Sequence, residues 1–95
     1  MKIKLRSGIE LDIPNDLTLV VFRTCKDGNV IALFPDIPAT PDGRCCLSYV
    51  HVGQHCAAEY ARIIRATRPS TAKEAAPLCG ELLRAGYRLK VVRHC

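Results

Sequence analysis

Polar and apolar residues alternate from the first positions of the chain. Ile3 and Leu5 stand between Lys2, Lys4 and Arg6, and Ile9, Leu11 and Ile13 alternate with Glu10 and Asp12. A period of two predicts strands with one wet face. A three-residue loop, Arg6-Ser7-Gly8, puts Leu5 opposite Ile9 and Ile3 opposite Leu11, and pairs Lys4 with Glu10 and Lys2 with Asp12. A two-residue loop would mix the faces, so the longer loop is expected, with Gly8 at its left-handed position. Pro14-Asn15-Asp16 ends this hairpin. Thr18 to Cys25 and Val30 to Phe34 read as a second hairpin, with Asp27-Gly28 as a two-residue turn. Val30 to Phe34 is apolar at every position. That pattern predicts a strand covered on both faces. Pro35, Pro38 and Pro41 predict an extended loop, and residues 44 to 52 a fifth strand.

Beyond residue 53 the spacing becomes helical. Cys56, Tyr60, Ile63 and Ile64 share one side of a helix predicted over 56 to 66, which Arg68-Pro69 ends. Thr71 and Glu74 form a capping box for a second helix with the stripe Ala75, Leu78, Cys79, Leu82 and Leu83, stopped by Gly86. Pro77 lies past the first turn of that helix. Either the helix kinks there or it starts later than the box implies. Tyr87 to Arg93 alternates again and predicts a last strand that returns to the sheet. Strands first and helices later imply one α+β domain over residues 1 to 95. The expected architecture is an antiparallel or mixed sheet of five to six strands with both helices on one face.

Composition adds three constraints. The 95 residues suit a single domain, and the hydrophobic fraction of 48% supports an aliphatic core. No apolar run approaches the ~20 residues of a membrane helix, and the start of the chain lacks a leader pattern. A cytoplasmic chain without membrane contact is therefore expected, and with it six reduced cysteines. The net charge of +5 is uneven. Residues 1 to 50 hold six Lys/Arg and six Asp/Glu, whereas residues 51 to 95 hold eight Lys/Arg and three Glu.

Three cysteines and two histidines crowd residues 45 to 56, where a strand is predicted to hand over to a helix. A binding or regulatory module, non-enzymatic and without a cofactor, would use Tyr49, His51, Gln54 and His55 there for a ligand, a protein partner or a second copy of the chain. A metal or thiol reading of the same stretch uses Cys45, His51, His55 and Cys56. Cys56 would be activated by the helix start and His51 or His55 would act as its base. The bland account has the histidines satisfied by ordinary packing. The basic half offers the rival class, nucleic-acid binding through Arg62, Arg65, Arg68, Arg88 and Lys90. Tyr60 and Tyr87 are the aromatics near enough to stack on bases.

Overall fold

A computed structural model describes residues 2–4, 8, 10–13, 17–40, 44–50 and 54–92, with Gln54 by its backbone alone. The first hairpin has the register the face argument requires. In it, β1 (Lys2–Lys4) pairs with β2 (Glu10–Asp12) as Lys2↔Asp12, Ile3↔Leu11 and Lys4↔Glu10. Gly8 has φ +95°, a conformation that glycine alone adopts without strain. The pair Leu5 and Ile9 lies outside the described residues.

The main sheet has six strands. Its long members are β3 (Thr18–Thr24), β4 (Val30–Pro38), β5 (Cys45–Val50) and β6 (Gln54–Glu59). They run antiparallel in the order β6-β5-β4-β3. The outer edge of β3 carries two short strands. At one end β7 (Arg68–Pro69) pairs antiparallel with Arg23 and Thr24, and at the other β8 (Leu89–Val91) pairs parallel with Thr18 to Val20. The sheet is therefore mixed. Its α+β class and its six strands agree with the sequence pattern, but the first hairpin, expected within it, forms a separate two-stranded sheet, and β6 and β7 take its place. As its uninterrupted apolar run implies, β4 is interior, with Ala32, Leu33 and Phe34 fully buried.

Three local expectations change. The turn between β3 and β4 has three residues, not two. The Gly28 N–H reaches the Cys25 carbonyl at 2.9 Å, the Cys25 N–H reaches the Asn29 carbonyl at 2.8 Å, and Gly28 has φ +90°. A type I turn closed by a left-handed glycine suits the strand twist as well as a two-residue turn does. Pro35 and Pro38 belong to β4, not to a loop. Pairing lapses after Phe34↔Leu47 and resumes at Pro38↔Cys46, so Pro35 sits inside the irregularity, where its missing N–H costs no ladder bond, and Pro38 stands at the end of the strand. Finally, residues 54 to 59 are a strand. The spacing of Cys56 with Tyr60, Ile63 and Ile64 suits a helix, but every residue from Gln54 to Glu59 has a partner on β5. That ladder outweighs the weak local preference. The helix that follows, α1 (Tyr60–Ala66), has only seven residues.

The second helix, α2 (Ala72–Arg84), starts at the Thr71–Glu74 capping box, with both reciprocal bonds formed. It runs through Pro77 without interruption. Pro77 and Lys73 are both exposed, so the Lys73 carbonyl that loses its bond faces water. Gly86, at φ +107°, ends the helix in a Schellman arrangement, with Tyr87 N–H on the Leu82 carbonyl and Gly86 N–H on that of Leu83. Leu83, expected on the apolar stripe, is 54% exposed.

The helices do not share a face of the sheet. Alternate residues of the strands feed two separate cores. Val20, Phe22, Ala32, Phe34, Leu47 and Tyr49 pack with Ala75, Leu78 and Leu82 of α2, and Ile3 and Leu11 of the first hairpin join them. Val21, Leu33, Cys46 and Ala58 point the other way and take Tyr60, Ile63 and Ile64 of α1. Strands apolar on both sides need cover on both sides, and one helix on each supplies it. Burying a leucine such as Leu47 or Leu82 contributes about 1.5–3 kcal/mol. The small α1 has a further anchor. Arg23, on the α1 face and only 4% exposed, donates to the carbonyls of Ile64 at 2.9 Å and Thr67 at 2.6 Å, and to Thr67 Oγ1 at 3.0 Å. Its guanidinium thus caps the C-terminal end of a helix too short to hold itself.

Candidate functional site

The junction around residues 49 to 56 resolves into a hairpin between β5 and β6. Tyr49 and His55 face each other across the ladder, their rings 4.9 Å apart at 61°. His55 Nε2 lies 2.8 Å from the Tyr87 hydroxyl, and the Tyr87 ring stacks on Phe34 at 5.2 Å. The Tyr49 hydroxyl donates to Glu81 Oε1 of α2 at 3.0 Å. Burial lowers the pKa of His55 and raises that of Tyr87. A phenol held protonated beside an imidazole held neutral shares a proton without forming an ion. Together these groups clamp the hairpin to α2 and to the chain behind it. Of the four residues expected to form a binding site, Tyr49 and His55 meet. Gln54 pairs with Val50 through its backbone, and His51 lies outside the described residues.

The metal and thiol residues do not gather. Cys45 stands opposite Glu59 and His55 opposite Tyr49, four positions along the strand and so about 13 Å apart. Cys56 stands opposite Ser48 on the other face from His55. It is a mid-strand residue, so no helix start activates it, and the placement inferred from helical spacing is corrected. Among the described residues no three His, Cys, Asp or Glu side chains converge as metal ligands. Cys25, Cys45, Cys46, Cys56 and Cys79 are all free thiols, as expected. Burial pushes the Cys46 thiol up to about 11. An apolar groove of about 610 Å³ runs between α2 and the start of β4, lined by Val30, Ile31, Val50, Pro77 and Leu78 among others.

The cations gather more than the Cys/His set does. Leaving the β6 edge, α1 crosses its face of the sheet and ends where β7 joins β3. Arg62 and Arg65 are exposed on it, and α1 carries no acidic residue. Val92 packs into the α1 core, so Lys90, two residues earlier on the same side of the strand, faces the same way, and Arg88 continues that side. Both are exposed. No described carboxylate pairs with Arg62, Arg65, Arg88 or Lys90. Arg68 is different. Its guanidinium is held by both oxygens of Glu74 at 2.8 and 2.6 Å, which draws it toward α2 and holds the Glu74 carboxyl down at about 2. Where α1 ends, a cleft of about 350 Å³ opens, lined by Lys26 and Gly28 of the β3–β4 turn and by Arg65, Thr67 and Arg68. Lys26 was no part of the expected set, because only the fold brings that turn to the end of α1. Among the described residues no helix is long and apolar enough to cross a membrane.

Comparisons with protein-family models, with curated proteins and with solved structures found no match to this chain.

Proposed function

We propose that this domain is a binding module that holds the phosphates of a nucleic acid on its α1 face. The observation that carries the reading is the placement of Arg62, Arg65, Arg88 and Lys90 on one side of the sheet, exposed and without described acidic partners. The contrast with α2 strengthens it. There Lys73 and Arg84 are matched in number by Glu74 and Glu81, the balance of an ordinary wet helix. On α1 that balance is missing. The Tyr49–His55 hairpin offers less, because its polar atoms are engaged with Glu81 and Tyr87.

Four phosphate contacts predict a log–log salt slope of about −2.8 for single strands and −3.6 for duplexes. Between about 50 and 200 mM salt, affinity should then fall about 50- to 150-fold. Fluorescence anisotropy with generic single-stranded and duplex oligonucleotides measures this. Arg62→Ala with Arg65→Ala should flatten the slope by about 1.4–1.8, whereas Lys73→Ala with Arg84→Ala should leave it unchanged. Absence of binding at low ionic strength refutes the proposal.

A further inference from the structure

We infer that the cleft at the end of α1 seats a phosphate monoester, such as the terminal phosphate of a nucleic-acid strand, which rests on the reading of α1 as the phosphate-tracking face and gives that track an end. Three cations from three separate elements line the cleft: Lys26 from the β3–β4 turn, Arg65 from α1 and Arg68 from β7. No described carboxylate lines it. Asp27, next to Lys26, is turned into its own turn, where it accepts from the Asn29 N–H and from Asn29 Nδ2, each at 3.0 Å. Arg68 is neutralised by Glu74 and fixed by it, so it forms a rigid polar wall. The wall hydroxyls are engaged too, Thr67 on the Ile63 carbonyl and Thr24 on Ser70.

That leaves Lys26 and Arg65 as the free charges. Together they match the charge of about −1.5 to −2 on a phosphate monoester at neutral pH, where an internal diester carries only one negative charge. Burial and the nearby Asp27 push the Cys25 thiol up, so this wall residue adds no anion that would repel the ligand. At about 350 Å³ the cleft lies at the small end of ligand pockets, room for a phosphate and its sugar. The spacing to the rest of the track is also consistent. Arg68 stands opposite Thr24 and Lys90 opposite Leu19, five positions along β3 and so about 17 Å apart. At the 3.4 Å per nucleotide of one strand of a duplex this is about five nucleotides, and fewer for an extended single strand.

The experiment uses the full chain at low salt and three single strands of about 12 nucleotides, identical in sequence, ending in a 5′-phosphate, a 3′-phosphate or hydroxyls only. One phosphorylated strand should bind about tenfold tighter than the hydroxyl strand, the scale of one charge-assisted contact. Lys26→Ala, at an exposed turn position, should abolish that difference, whereas Lys73→Ala, exposed on α2 outside the cleft, should keep it. Equal affinity for all three strands overturns the cleft while leaving the α1 reading intact. If no strand binds, the α1 reading fails, and titration with inorganic phosphate decides the cleft separately. Saturable shifts of the Lys26 and Arg65 amide resonances, lost in Lys26→Ala, support a site for free phosphate, and unshifted resonances overturn it.

Discussion

Replacing Arg23 tests how α1 is held. Arg23→Met keeps most of the aliphatic stem and removes the bonds donated to Ile64 and Thr67. The acceptors stay behind, because two of them are backbone carbonyls, those of Ile64 and Thr67. A buried acceptor left unmatched costs about 1–3 kcal/mol. Thr67 Oγ1 does not add to this, since it still donates to the Ile63 carbonyl at 2.6 Å. Two orphaned carbonyls would cost about 2–6 kcal/mol if wholly cut off from water; these are part-buried, and release of a desolvated guanidinium also lowers the net, to about 2–4 kcal/mol. That is a large share of the 5–15 kcal/mol stability usual for a domain. Urea denaturation followed by circular dichroism reads it. With a slope of about 2 kcal/mol per molar, the middle of the usual range for small domains, the midpoint should fall by about 1–2 M. Arg23→Lys should lie between the two proteins, because one ammonium cannot reach both carbonyls and the hydroxyl as a planar fork does. Amide exchange at residues 63 to 67 should quicken in both variants. A midpoint for Arg23→Met within about 0.3 M of the parent would show that the guanidinium does not hold the helix.

Three further outcomes follow from the same structure. Pro77→Ala restores the bond to the exposed Lys73 carbonyl and should stabilise α2 by about 2–2.5 kcal/mol, the helix-interior penalty of proline less its benefit in the unfolded chain; a lower melting temperature would contradict this. Burial lowers the pKa of His55, so the unfolded chain takes up that proton more readily. Its contribution is complete above the unfolded value of about 6.5 and is lost as the pH falls, and melts between about pH 7.5 and 5 should show a shallower slope in His55→Phe than in the parent. Cys46 is 4% exposed and its thiol is pushed up to about 11, so in native protein at neutral pH a thiol reagent should reach it last among the described cysteines and modify it fully only on unfolding.

What could be read from the chain alone was local. The register of the first hairpin follows from which pairing puts Ile3 and Leu11 on one face and Lys4 beside Glu10, and that pairing is the one formed. The start and end of α2 follow from Thr71, Glu74 and Gly86, since caps satisfy backbone groups within a few residues. The interior position of β4 follows from its unbroken apolar run. The strand β6 was not legible, because His55 to Ala58 suits either element and only the ladder on β5 decides between them. Nor was the division of the helices between two faces, since an amphipathic stripe shows that a helix is covered but not by which side of a sheet. Arg23 reads as an ordinary strand cation until the end of α1 is brought to it from 41 to 44 residues away. The candidate site divides in the same way. Composition located the excess charge in the second half of the chain, and α1 supplied two of its cations. Only the folded structure engaged Arg68 with Glu74, separated Cys56 from His55, and brought Lys26 to the end of α1: the first two turn on which strand residues 54–59 and 68–69 join, and the third on a contact between segments about 40 residues apart.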